Sequence, residues 1–253
     1  MTRASRFLIG LVTRLLERMV TMRHLRGLRW LRVDPAGSGR GFGTERNPER
    51  LVFFSDAVFA IAVTLLVLDI RPPEDTRHLL DGLAALWPSY LAYAVTFLLI
   101  GQVWVNHHVM FDHIRVADRT VLFLNTLLLM DIAFLPFAAG VLSAALRSGH
   151  GQRTAVVLHG MTFELAALLF NAIWAYARRG HRLLDTTIDS VGADAIGRRF
   201  RLALVWLGTG TALGALLPVL GMAVIAAFIP FYWRPIPGEL ARAKPRREGR
   251  DQA

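Results

Sequence analysis

From Leu51 to Leu68 the chain is apolar apart from Ser55, Asp56 and Thr64. A helix needs ~20 mostly apolar residues to cross a bilayer, and this run has that length. A carboxylate one or two turns inside such a helix is costly, so Asp56 should have a partner or a task. This stretch, Arg50 to Ile70, is read as the working element, and the rest of the chain as its scaffold.

The run has company. Of the 253 residues 54% are hydrophobic, and mean hydropathy is +0.41. A soluble domain is nearer 45–50% apolar, and here the excess sits in long runs. The reading is all-α: an integral membrane protein with a single transmembrane domain. Net charge is +10, carried almost wholly by arginine, since Lys244 is the only lysine. A basic balance can mean nucleic acid. These arginines instead cluster at the ends of apolar runs, as membrane topology requires, so no nucleic-acid partner is expected. The chain has no cysteine, which excludes disulfide frameworks, thiolate metal sites and cysteine nucleophiles. The apolar patch Phe7 to Val12 is followed by arginines and shows no small-residue cleavage site, so it does not read as a signal peptide.

Three regions are expected. Residues 1–45 hold a basic arm and a linker. Arg6, Arg14, Arg18, Arg23, Arg26, Arg29 and Arg32 alternate with leucines at helical spacing. This reads either as an amphipathic helix on an anionic lipid surface or as an extension without fixed structure. The glycine-rich run after Asp34 is a linker. No strand precedes it, so it is not a nucleotide loop. Residues 46–235 form the transmembrane domain, and 236–253 a basic disordered tail. Six apolar segments fill the domain, at about 50–70, 82–110, 117–146, 154–177, 200–217 and 219–233. Pro136 should kink or break the third. If the six alternate across a membrane, the basic arm, the loops with Arg115 and Arg119 and with Arg178 to Arg201, and the basic tail share one side. The positive-inside rule then places both termini in the cytoplasm.

At ~100° per residue the first helix has two faces. Ile61, Thr64, Leu65 and Leu68 share one stripe with Phe54 and Ala57. Asp56 lies on the other side with Val52, Phe59 and Val63. If the first two segments are antiparallel neighbours, Trp104, Asn106, His107 and His108 come level with Asp56, and a closed hydrogen-bond network would lower its cost. The spacing of His108, Asp112 and His113 would also suit a metal, although no specific metal signature is present and none is assigned. Asn125, Asp131, Glu164 and Asn171 are further polar groups inside apolar segments. Asp131 and Glu164 are candidate proton sites of a carrier, or simple interhelical hydrogen bonds. Nothing resembles a hydrolase cluster or a phosphate loop, so no enzyme is expected.

The motif Arg50-x-x-x-Phe54-Ser55-Asp56, with the apolar run behind it, closely resembles the first-helix signature of the transmembrane protein 175 family of potassium channels. Trp104-Val-Asn106-His107-His108 and Leu135-Pro136-Phe137 also resemble that family, over about residues 46–233. The resemblance implies a homotetramer of six-helix subunits in a bacterial cytoplasmic membrane, with four first helices lining a pore. By motif position Ile61 matches the narrow hydrophobic ring, Leu65 and Leu68 match further rings, and Thr64 matches the selectivity layer. Arg50, Phe54, Ser55 and Asp56 match a structural network. The implied ligand is permeant potassium, with no cofactor. Selectivity should be modest, because no Thr-Val-Gly-Tyr-Gly filter motif occurs. The alternatives are a proton-linked carrier using Asp131 and Glu164, and a membrane-anchored interaction protein that works through its basic arm.

Overall fold

The computed structural model describes residues 48–232. The basic arm and linker expected at 1–45 and the tail at 236–253 lie outside the described residues. Among the described residues the regular elements are helical, with one isolated antiparallel bridge between Ile114 and Leu184. Helix α1 runs Glu49–Leu65 and tightens into a 3-10 turn, Leu66–Asp69. A short α2, Leu79–Ala85, precedes α3, Trp87–Asp112. Then come α4, Arg119–Ser148, and α5, Gln152–Ala177. A 3-10 turn, Arg179–His181, leads towards α6, Ser190–Leu216, and α7, Pro218–Tyr232.

Four of these are long and apolar enough to cross a membrane by length and composition: α1 with its 3-10 extension, α3, α4 and α5. The six expected segments are all helical but not equivalent. Helix α6 has the length, but Arg198, Arg199, Arg201 and a series of glycines and threonines dilute its hydropathy; α7 is apolar but short. Some boundaries also move. The second segment begins at Trp87, because Pro88 opens a fresh helix after α2, at a position where its missing N–H costs nothing. The fifth begins at Ser190 rather than Phe200, because Asp189 caps it, its carboxylate accepting from Gly192 N at 2.7 Å. Aspartate at this position satisfies one of the donors a helix start leaves unpaired. Pro136 is buried in α4, and the helix runs unbroken through it, so the expected break is absent.

Chain neighbours α3 to α7 pack in sequence, and α1 lies against α4 and α3. Buried polar pairs fix the register. Ser143 donates to Ser89 at 2.8 Å near the α3 start and the α4 end. Thr96 and His159 join α3 to α5 at 2.9 Å, deep in the core. Trp206 of α6 donates to the Val224 carbonyl of α7 at 2.8 Å.

At one end the two arginine-bearing loops are tied together. Arg115 N donates to Leu183 O, and Asp185 N to His113 O, both at 2.9 Å. Asp118 caps α4 through Thr120 N and Val121 N and also accepts from Tyr176 Oη at 2.6 Å and from Arg182 at 3.3 Å. The grouping of these basic loops at one end, expected from charge alone, is thus held by hydrogen bonds.

Helices α6 and α7 meet backbone to backbone. A Cβ on Gly221 would collide with the Cα and N of Gly214 and approach Gly210 O at 2.7 Å. Those are main-chain atoms that cannot rotate away. Gly221→Ala should therefore part the two helices and cost roughly 1–3 kcal/mol, the usual scale of overpacking. A fall in thermal midpoint of the detergent-purified protein, with unchanged helical content, is the expected result.

Candidate functional site

The site is built on α1, and the rotation of that helix decides what it can do. Its packed face is Ser55, Phe59, Ala62 and Leu66. Ser55 is wholly buried, so its hydroxyl needs partners. It donates to Leu51 O at 2.8 Å, four residues back, and accepts from Asn125 Nδ2 of α4 at 3.0 Å. Asn125 Oδ1 lies 3.0 Å from His107 Nε2 of α3. A carbonyl oxygen only accepts, so His107 carries its proton on Nε2. The hydrogens then run one way: His107 to Asn125, Asn125 to Ser55, Ser55 to the backbone. All three side chains are fully buried, and the His107 ring is packed by Phe59, Phe111 and Phe170. One three-residue relay therefore locks α1, α3 and α4 together.

Asp56 stands at the edge of this packed face, half buried, and accepts from Trp104 Nε1 at 2.8 Å. Trp104 is stacked at 6.1 Å on His108, which lies 3.8 Å from Asp112 on the outer side of α3. Of the residues expected to form one network, the structure thus brings Ser55 to His107 and Asp56 to Trp104 and His108, in two adjoining groups. Asn106 donates to Gln102 O on its own helix at 2.8 Å. Phe54 is exposed. Arg50 is exposed at the first turn, and no hydrogen bond or ion pair links it to either group. Among the described residues no three histidine or acidic side chains converge, so the spacing of His108, Asp112 and His113 does not become a metal cluster.

The opposite face of α1 is bare. Ile61 is 58% exposed, Leu65 42% and Leu68 71%, with Thr64 and Ala57 exposed between them. The Thr64 hydroxyl donates to Ile61 O at 2.9 Å. That bond uses its hydrogen and leaves the oxygen free to accept from the open side. Of the four membrane-length helices α1 is the most apolar, yet only 22% of its apolar window is buried, against 50% for α4 and 56% for α5.

Asp131 and Glu164 sit apart. Asp131 is buried in α4, and its Oδ2 has no hydrogen-bond partner. Glu164 of α5 rests on Gly208 of α6. No hydrogen bond joins the two. Sequence reasoning noted Asn125 as a polar residue in an apolar run but did not connect it to Ser55. It missed the Thr96–His159 and Ser89–Ser143 pairs altogether; the available signal was a histidine and small hydroxyl residues inside otherwise apolar runs.

A family model described as endosomal/lysosomal potassium channel TMEM175 matches residues 50–136. A protein of Streptomyces collinus named as a potassium channel is 38% identical over 201 residues, covering 77% of this chain and 97% of that protein. A mouse protein named as the endosomal/lysosomal proton channel TMEM175 is 36% identical over 141 residues, covering 52% of this chain and 28% of that one. Among solved structures, the crystal structure of a lysosomal potassium-selective channel TMEM175 homolog from Chamaesiphon minutus superposes with a TM-score of 0.65. It is 33% identical and covers 73% of this chain and 95% of that one.

The relay makes a specific demand on Asn125. Asn125→Leu would leave the His107 Nε2–H without an acceptor and Ser55 without a donor, both buried. An unsatisfied buried group costs about 1–3 kcal/mol. The variant should lose thermal stability in detergent by about that amount, and Asn125→Ala should do no better, because the cost is the broken relay rather than the added methyl groups.

Proposed function

The chain belongs to the TMEM175 family, and on that premise we propose that it is a potassium-conducting channel of a bacterial cytoplasmic membrane, assembled as a homotetramer. The family is one of ion channels, not enzymes. In this reading six helices, α1 and α3 to α7, span the bilayer with both termini cytoplasmic. The short α7 and the diluted α6 cross with their flanks protected by α5, on which α6 packs closely. The arginine-bearing loops tied at Arg115–Leu183 face the cytoplasm, as the positive-inside rule asks.

One observation carries the pore assignment: Ile61, Thr64, Leu65 and Leu68 point away from their own subunit. Lipid could cover an apolar stripe, but it gives no reason for a hydroxyl with an unused acceptor in its middle or for the Asp56–Trp104 pair at its margin. Fourfold closure around α1 covers the stripe and gives each group a place. Four Ile61 side chains then form the narrowest ring, with Leu65 and Leu68 as further rings. Such constrictions close to ions by dewetting. Four Thr64 hydroxyls make the polar layer against which a partly dehydrated cation is stabilised. Potassium gives up water more readily than sodium, so this layer favours it, with modest discrimination for want of a carbonyl filter.

The test is ion flux from purified protein in liposomes. A potassium gradient should drive larger currents than an equal sodium gradient, and Ile61→Asn should raise conductance by wetting the narrow ring. Leu65→Ala with Leu68→Ala should raise it less. Thr64→Ala should reduce the potassium preference. Asp56→Ala should lower the yield of assembled oligomer while leaving ion preference in the surviving tetramers unchanged. Unaltered current in Ile61→Asn would remove α1 from the pore. Flux carried by protons, and abolished by Asp131→Asn, would move the function to a carrier.

A further inference from the structure

Away from the relay and the exposed stripe, a pair of arginines gathers over a glycine at the end of the bundle that carries the basic loops. Gly197 is buried on α6, one turn before Arg201. A Cβ built there would lie 3.1 Å from Arg178 Nη1 and 3.3 Å from Arg201 Nη1, with Trp174 Cδ1 also at 3.3 Å. The glycine therefore lets two guanidinium groups and an indole edge close onto the helix, a cationic cradle with no slack for a methyl group beneath it. Asp194 takes Arg178, at 2.5 Å. Arg201 is exposed and pairs with no carboxylate among the described residues. Two cations with one anion leave the cradle one positive charge in excess.

Helical spacing continues the site. Beyond Arg201, Leu204, Val205, Gly208, Thr209, Ala212, Leu213 and Leu216 of α6 line an open groove against Glu164 of α5. The groove starts one turn beyond Arg201 and from residue 204 to 216 runs about 18 Å at 1.5 Å per residue. That is close to the length of one acyl chain. The carboxylate of Glu164 packs directly on Gly208, at the α5 wall.

We propose that this face of α6 binds an anionic phospholipid, with its phosphate on the outer side of the Arg178 and Arg201 guanidinium groups and an acyl chain along the groove towards Leu216. Guanidinium groups recognise phosphate oxygens with charge-assisted, often bidentate hydrogen bonds. A cationic pocket at the cytoplasmic edge of membrane helices suits an anionic headgroup. The groove below the cradle is what favours a lipid over a free phosphate.

The test uses the full-length protein in detergent, titrated with phosphatidylglycerol, phosphatidylcholine or inorganic phosphate and read by native mass spectrometry. Wild type should retain phosphatidylglycerol in preference to phosphatidylcholine, and millimolar phosphate should not displace it. Arg201→Gln should weaken retention about tenfold, the loss of a charged hydrogen bond, whereas Arg198→Gln removes the same charge from beside the cradle and should change it less than about twofold. Gly197→Ala keeps every charge but pushes the two guanidinium groups off the helix and should weaken retention as Arg201→Gln does, with an unchanged elution volume showing that the protein is folded. Equal losses in Arg198→Gln and Arg201→Gln would reduce the site to diffuse surface charge. Displacement by phosphate would make it a free-anion site. Full retention in Gly197→Ala, or no retained phosphatidylglycerol in wild type, would overturn the proposal.

Discussion

The structure turns on one constraint: a polar side chain buried between apolar helices is costly unless it finds a partner there. In an environment without water an unpaired donor costs more than the net gain from most contacts. Asn125 and Ser55 meet that constraint, and His107 meets it at Nε2 while its Nδ1 stays unpaired, in a directional relay across α3, α4 and α1. Its geometric consequence exceeds its energetic one. Hydrogen bonds between membrane helices are individually modest, but each accepts only a narrow range of angles. Ser55 can reach Asn125 in one rotation of α1, and that rotation presents Phe59, Ala62 and Leu66 to the core and Ile61, Thr64, Leu65 and Leu68 to the outside. The outward face is set by what happens on the inward one.

The same economy explains why α1 is the least buried of the membrane-length helices. Helices α4 and α5 lie between neighbours, and small residues at Gly160, Gly208, Gly210 and Gly214 let α5, α6 and α7 close tightly. Helix α1 touches this block along one side only, through α4 and α3. A helix so placed is held at a fixed angle by a rigid partner yet keeps half its surface for something else. Rigid backing is what a narrow constriction needs, because a side chain displaced by an ångström changes the radius available to an ion.

Much of this was legible in the sequence, and the limits have physical causes. The helical period of residues 51–68 separates the stripe of Ile61, Thr64, Leu65 and Leu68 from Asp56, since that separation depends only on local geometry. The period also drew attention to Asp56 as the centre of the packed face, because a carboxylate is the most expensive residue there. The centre is Ser55, and Asp56 lies at the margin with Trp104. A serine carries little signal by itself; what gives it weight is Asn125, which is distant in sequence and reaches it only when α4 packs on α1. Arg50 and Phe54 were grouped with the network by motif, yet both are exposed in the protomer. Helix starts moved where a cap or proline outweighed hydropathy, as at Asp189 and Pro88.

Two kinds of outward-facing surface therefore occur on the same fold. On the α1 stripe the residues from Ala57 to Leu68 are apolar, with the Thr64 hydroxyl alone among them, and Asp56 and Trp104 lie along one edge. On α6 the exposed face begins at Arg201 and continues through leucine, valine, glycine and alanine with Thr209 among them, and Glu164 of α5 along one wall. A surface made to meet copies of itself around an axis gains from identical apolar side chains at equal radius, because symmetry brings each to the same depth. A surface made to meet a phospholipid gains from a gradient, charged at the membrane edge and smooth beneath it. The two patterns differ in their side chains, and that difference is why we propose α1 for the subunit's own kind and α6 for the bilayer. It follows that burial within one protomer is a poor guide to importance here: the residues given the clearest tasks are those that a single chain leaves uncovered.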